Sequence, residues 1–530
     1  MTPARTRRDF LARTGSALAL AAVRPAGVFA QPASRIANVF VDPRRVAATI
    51  DRRLFGSFLE HLGRAIYGGV FEPGSPLADQ NGFRRDVLAE IKTLGVPIVR
   101  YPGGNFVSGY DWLDGVGPRD SRPAVLDRAW NSLETNQFGT NEFLAWCRAT
   151  GAEPLLGLNF GTAPAEKAAA LVEYCNVASG TRWSDLRRKH GVESPWGVKR
   201  FCLGNEMDGN WQIGHMTAVE YGRKADDAAR QMRAVDPTIQ LVACGSSGPG
   251  MATYLDWDRI VLEECYDQVD AISLHRYFGL NAADVVKDDA RFLASNVEME
   301  RQIEEVAAVC DYVRGRRRSN KRLWLSFDEW NVWYRASGGN GRGQRAPRLL
   351  EEIYDLRDAL VVGGALNSLM RHAGRVRLAC LAQLVNVIAP LFTDATKVVR
   401  QTIYYPYAWA LSYAKGQVLD LVSDSPSYDI AQVGKVPFVD VAATSDANQI
   451  ALFVLNRDLD KPAQVRVNWR EPAPRRVVSA EVLTGRDLKA SNTLTAPSTV
   501  VPRALDTPRA SAEMTFEVPA GSYSVIRLES

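Results

Sequence analysis

The sequence is poor in the features that mark nucleic-acid-binding, metal-built or membrane-spanning chains. Its formal net charge of +4 traces to the first thirty residues, which hold five arginines and one aspartate; the rest carries 59 side chains of each sign. A balanced body has no electrostatic grip on nucleic acid or on an anionic bilayer, so no nucleic-acid and no membrane partner is expected. The seven cysteines (147, 175, 202, 244, 265, 310, 380) stand singly, with no C-x-x-C pair, which argues against a disulfide scaffold and a structural zinc site. The five histidines (61, 190, 215, 275, 372) have no metal-ligand spacing, and neither a metal nor another cofactor is expected. No stretch reaches the roughly eighteen apolar residues that a bilayer demands. No strand-like run is followed by G-x-G-x-x-G or G-x-x-x-x-G-K-[ST], which removes the usual sign of a nucleotide site.

What is present is a globular composition, 46% hydrophobic and 23% charged, over 530 residues. That length exceeds one ordinary core unless part of it is a large barrel. At the N-terminus, Thr6-Arg7-Arg8-Asp9-Phe10-Leu11, the apolar run 17–23 and Val28-Phe29-Ala30 resemble a twin-arginine export signal over residues 1–30. A periplasmic or secreted bacterial protein is expected on that pattern.

Between residues 54 and 400 short apolar runs alternate with helical patterns. The runs are 54–60, 97–103, 153–160, 200–206, 240–247, 271–277, 323–330 and 377–386. Several are continuous, as parallel strands buried on both faces require. The helices between them carry their own punctuation. Phe83, Val87, Leu88, Ile91 and Leu94 form a stripe closed by Gly95 and Pro97, and Thr217-Ala218-Val219-Glu220 is a capping box. Eight such units predict a (β/α)8 TIM barrel, with reactive residues at the C-terminal strand ends. From 401 to 530 the period changes to two, with Val465, Val467 and Trp469, then Met514, Phe516 and Val518, alternating with polar residues. This predicts a jelly-roll-like β-sandwich, to which residues 31–53 add strands.

Two of the eight runs carry glutamates with unusual surroundings at their C-terminal ends: the fourth in Gly204-Asn205-Glu206, the seventh in Phe327-Asp328-Glu329-Trp330. A charge that closes an apolar strand costs stability unless it is paired or used. Two carboxylates converging at a barrel mouth are what glycosidic cleavage needs, one to protonate the leaving oxygen and one to attack the anomeric carbon or activate water.

The chain resembles glycoside hydrolase family 51, the α-L-arabinofuranosidases. The motifs are Gly56-Ser57-Phe58-Leu59-Glu60-His61, Arg100-Tyr101-Pro102-Gly103-Gly104-Asn105, Asp114-Gly115-Val116-Gly117-Pro118 and Ser132-Leu133-Glu134-Thr135-Asn136. Further along come Gly204-Asn205-Glu206-Met207-Asp208-Gly209 with Trp211-Gln212-Ile213-Gly214-His215, Ser273-Leu274-His275-Arg276-Tyr277, 328–334 and 381–390. The resemblance implies a retaining, exo-acting enzyme that releases non-reducing terminal arabinofuranosyl units from polysaccharides or oligosaccharides. It implies Glu206 as acid/base and Glu329 as nucleophile, with their carboxyl groups about 5–5.5 Å apart. It places Asn205 on the sugar 2-hydroxyl, Glu60, Arg100 and Asn105 on the furanose hydroxyls, and His275, Tyr277 and Gln383 near the carboxylates. Trp130 and Trp333 become pocket walls. The stretch after Asn159-Phe160-Gly161-Thr162 and Arg276 depart from commoner members and are expected on loops around the mouth. The resemblance also implies a homo-oligomer, a hexamer. Two readings stay open beside it: an endo-acting glucanase or xylan-active hydrolase of the same family, and a carbohydrate-binding protein with a silent barrel.

Overall fold

Continuous apolar runs become parallel strands here because both of their faces are covered. The computed structural model describes residues 36–337, 341–506 and 508–529; the expected export segment, 1–30, lies outside them. Eight strands form a closed barrel: Gly56–Phe58, Ile98–Tyr101, Glu153–Gly157, Arg200–Leu203, Gln240–Ala243, Ala271–Phe278, Trp324–Val332 and Val376–Leu381. Each is parallel to its neighbours, and the eighth closes on the first through Cys380 and Leu381 against Gly56 and Ser57. They are called the first to eighth barrel strands below. The expected (β/α)8 barrel is the fold of this region.

The helices end where the local chemistry stops them. Arg85–Leu94 buries Val87, Leu88, Ile91 and Leu94 and stops at Gly95, whose φ of 67° suits glycine and whose N–H reaches the Ile91 carbonyl. Ala218–Val235 opens on the capping box: Thr217 N–H donates to Glu220 Oε2 at 2.9 Å and Glu220 N–H to Thr217 Oγ1 at 3.4 Å.

Among the described residues, six of the remaining strands pair as three two-stranded ribbons and the other nine form one sheet. Its alternating apolar residues (Val465, Val467 and Trp469; Met514, Phe516 and Val518) meet Leu452 and Ile526 in one core, so the sheet curls over itself. Ile36–Thr49 joins it, parallel to Ala463–Trp469 and antiparallel to Gln417–Asp424. At Asp42-Pro43 the pairing jumps from Val41–Leu421 to Val46–Leu419, a bulge where proline offers no N–H. All seven cysteines are free and buried. Among the described residues no helix is long and apolar enough to cross a membrane.

Candidate active site

The C-terminal ends of the barrel strands carry an unusual density of buried polar side chains. Arg100, in the second strand, is 1% exposed, and its guanidinium lies over the Phe58 ring, 5.0 Å from the centroid. It donates to Glu329 Oε2 at 2.8 Å and to Asn205 Oδ1 at 2.7 Å. Its position inside the cylinder lets one cation tie the seventh strand to the loop after the fourth.

Past the fourth strand the chain must turn sharply. Gly204 takes φ 104°, and a Cβ there would lie 2.9 Å from that of Phe160. Glu206 follows at φ 46°, a left-handed conformation uncommon for non-glycine residues. The turn is held by Gly209 N–H on the Glu206 carbonyl and by Asp208, which accepts from Ser247 N–H at 3.0 Å. Glu206 Oε2 accepts from Trp211 Nε1 at 2.8 Å, and Oε1 lies 3.0 Å from His275 Nδ1.

In the seventh strand the register slips between Ser326 and Glu329 against the sixth strand, and between Phe327 and Trp330 against the eighth. Such an irregularity re-aims side chains. It brings both Asp328 and Glu329 to the polar cluster, where strict alternation would part them. Glu329 Oε1 accepts from the Tyr277 hydroxyl at 2.5 Å. Asp328 accepts from Cys202 Sγ at 3.3 Å and lies 3.1 Å from His275 Nε2. Oxygens of Glu206 and Glu329 and a nitrogen of His275 lie within 4.8 Å of one another. A cation there would compete with Arg100 and Tyr277 for Glu329 and with Trp211 for Glu206. The donor set therefore reads as a proton-sharing carboxylate cluster.

Glu60 follows the first strand. Its Oε1 accepts from Phe106 N–H at 2.9 Å and Trp130 Nε1 at 2.7 Å; Gln383 Nε2 reaches Oε2 at 3.4 Å. Gly104 passes so close that any side chain there would collide with this carboxylate. Trp130 sits on a hairpin tip where Asp127 accepts the N–H groups of Ala129 and Trp130. Asn105 and Gln212 each approach the Asn205 amide at 3.4 Å. Trp333 meets Tyr277 edge to face at 5.1 Å.

The electrostatics follow from burial and excess negative charge. Burial, then the Glu329 charge, lifts the Glu206 carboxyl above its usual range against the pull of the His275 hydrogen bond. Burial and the Glu329 charge push Glu60 up to about 8. Burial opposes a charged His275, but the Glu329 charge and the hydrogen bonds to Asp328 and Glu206 push it up to about 10. Burial likewise opposes the Asp328 charge, yet Arg100 and His275 hold that carboxyl below its usual range.

All eleven side chains singled out in the sequence therefore meet at this mouth. Three others were not singled out: Asp328, Trp211 and Gln212. The last two lie five and six residues beyond Glu206, past the Gly209 turn, in a stretch read only as motif. Arg276, expected on a mouth loop, instead lies within the sixth strand and reaches Glu298 and Gln302 of the helix Ser295–Arg316 at 3.3 and 3.4 Å.

Two family models match the chain: the α-L-arabinofuranosidase 1 domain over residues 90–298 and the α-L-arabinofuranosidase C-terminal domain over 328–522. A relative from Bacillus subtilis, named intracellular exo-α-(1→5)-L-arabinofuranosidase 1, is 47% identical over 86% of this chain and 91% of its own. Another from Streptomyces lividans, named an intracellular exo-α-(1→5)-L-arabinofuranosidase, is 48% identical over 89% of this chain and 72% of its own. A solved family 51 α-L-arabinofuranosidase from Bifidobacterium longum superposes with TM-score 0.89 at 40% identity, over 93% of this chain and 99% of that one. These names correct the expected periplasmic or secreted location, because close relatives are named intracellular. An arginine pair before seven apolar residues is a short pattern that no packing constraint enforces, so it carries little specificity of its own.

Proposed function

This chain belongs to the family 51 α-L-arabinofuranosidases, and from that premise we propose that Glu329 is the nucleophile and Glu206 the acid/base of a retaining exo-α-L-arabinofuranosidase. The observation that carries the assignment is the approach of the two carboxylates to within 4.8 Å. Retaining pairs stand about 5–5.5 Å apart, whereas inverting pairs leave about 6.5–9.5 Å for a water.

Glu329 attacks the anomeric carbon while Glu206 protonates the departing oxygen, and an arabinosyl ester of Glu329 forms. Arg100 and Tyr277 hold the two oxygens of the nucleophile, so it is aimed before substrate arrives. Once the ester forms, the Glu329 charge that raised Glu206 is gone, and Glu206 takes a proton from water as that water opens the ester. Asn205, fixed by Arg100, is in place to meet the sugar 2-hydroxyl. Glu60, Asn105 and Gln383 serve the other hydroxyls, and Trp130 and Trp333 wall the pocket. The substrate is a terminal arabinofuranosyl unit of an oligosaccharide or polysaccharide; the relatives' names favour the α-(1→5) linkage. The hexamer implied by the resemblance is read by light scattering.

Hydrolysis of aryl arabinofuranoside, xyloside and glucoside by the purified protein tests the reading. Arabinofuranoside should be cleaved fastest, with retention at the anomeric carbon. No arabinofuranoside turnover, or inversion, would overturn it.

A further inference from the structure

His275 stands between carboxylates on both sides. Its Nδ1 lies 3.0 Å from Glu206 Oε1 and 3.6 Å from Glu329 Oε2, and its Nε2 lies 3.1 Å from Asp328 Oδ1. The ring is 2% exposed and Asp328 1% exposed. A neutral imidazole has one N–H, and an ionised carboxylate only accepts. Both ring nitrogens face acceptors, so both contacts are hydrogen bonds only if a proton is added: either the ring is a cation, or one carboxyl is protonated. Asp328 is not the site of that proton, because Arg100 approaches it to 3.9 Å and Cys202 donates to it. The proton therefore belongs to the line between Nδ1 and Glu206 Oε1.

We propose that Glu206 and His275 form one proton-sharing unit, in which the imidazole stores the proton that Glu206 delivers to the leaving oxygen and takes back from water. The proposal deepens the reading above and rests on it for the direction of proton flow. In the free enzyme His275 is the cation and Glu206 and Glu329 are anions. During glycosylation the Nδ1 proton passes to Glu206 Oε1 and on to the glycosidic oxygen. The bond from that oxygen to the anomeric carbon breaks as the bond to Glu329 forms. His275 is left neutral and Glu206 anionic, already a base. In the second step water gives one proton through Glu206 to Nδ1, its oxygen bonds to the anomeric carbon, and the ester releases Glu329 as an anion. Charges and protons return to their starting places, and none is exchanged with solvent.

Asp328 is then a positioning residue: it fixes the tautomer by accepting at Nε2 and so aims Nδ1 at Glu206. The charged and titratable groups that bear on the ring are Glu206 and Asp208 from the fourth-strand loop, Asp328 and Glu329 from the seventh strand, Arg100 from the second, and Tyr277 on its own strand. Among the anions, Glu329 is the one whose charge the chemistry removes.

Nitrogen NMR of the histidine side chains in the intact protein, with the His275 signal identified by its loss in His275→Gln, tests the store directly. In the wild type the ring should stay cationic through neutral pH. In Glu329→Gln its midpoint should fall by more than about one pH unit, since the nearest removable charge is gone. A wild-type ring neutral at pH 7, or the same midpoint in both proteins, overturns the proposal, whatever the substrate proves to be. The pH profile of kcat/KM supplies a second reading. Asp328→Asn should move its basic limb down by about one unit; a limb that stays in place while the rate merely falls denotes a structural role and also overturns it.

Discussion

Where the helix Leu356–Arg371 meets the curled sheet, Arg371 and Arg457 enclose Asp440, with Glu300 beside them; at the barrel mouth Arg100 stands alone among Glu60, Glu206, Asp328 and Glu329. The first cluster is balanced. Asp440 accepts from Asn367 at 2.8 Å, from Arg371 at 2.9 and 3.1 Å and from Arg457 at 2.8 Å. Burial opposes its charge, but the two guanidiniums outweigh that and hold the carboxyl far below its usual range. The second cluster is not balanced: among the described residues one permanent cation serves three buried carboxylates and the partly buried Glu206, so protons fill the deficit, at Glu60 and along the Glu206–His275 pair. A balanced buried cluster fastens two parts of a chain together. An unbalanced one keeps protons that can be moved, which is what acid/base chemistry at a dry site requires.

The sharpest way to break this contrast is to remove single carboxylates, two in turn from the mouth and one from the other cluster. Glu329→Ala should cost about 10⁴-fold or more in kcat, since no ester can form, with the fold kept. Steady-state turnover of an aryl arabinofuranoside reads this, and near-normal turnover would remove Glu329 from the chemistry. Glu206→Ala should cost about 10²–10⁴-fold on a natural disaccharide and far less on a substrate whose leaving group needs no proton. Equal losses on both substrates would count against Glu206 as the acid. Asp440→Ala should do the reverse: unfolding free energy falls by about 3–5 kcal/mol, because the buried Arg457 guanidinium loses its carboxylate partner, while kcat of the folded protein holds. Denaturant unfolding followed beside activity separates the two effects. A catalytic defect at unchanged stability would erase the distinction between the clusters.

The barrel was legible because its strands are continuous apolar runs, and the two key glutamates because each stands at the C-terminal end of such a run. The sheet domain was legible in Val465-x-Val467-x-Trp469, whose alternating residues all face one core. Asp328 was not, since alternation sends neighbours to opposite faces and only the slip in register after Ser326 turns it toward His275. Arg276 was misplaced although the run 271–277 contains it: a charged residue in an apolar run suggested a loop, whereas in the strand it pairs with Glu298 and Gln302 of the covering helix. The roles of Trp211 and Gln212 depend on a turn at Gly209 that folds residues back over Glu206, a tight local closure that apolar periodicity does not encode.

The subtlest prediction concerns Glu60, whose carboxyl is 2% exposed and pushed up to about 8 by burial and by Glu329. In the unfolded chain a glutamate titrates near 4.3. A folded-state value above the unfolded one means that the native protein binds the proton more tightly. The corresponding stability is fully present below about pH 4.3 and is lost as pH rises through about 8. The slope in that window is at most about 1.4 kcal/mol per pH unit, which for a chain this long moves the unfolding midpoint by about 1–2 °C per unit. Glu60→Gln keeps a neutral, similarly shaped group and should flatten this part of the profile, whereas Asp440→Ala should leave it unchanged. Thermal unfolding of the three proteins between pH 5 and 8 reads the difference. A wild-type midpoint that does not fall across that range, or one that falls equally in Glu60→Gln, would mean that the mouth meets its charge deficit without a proton on Glu60.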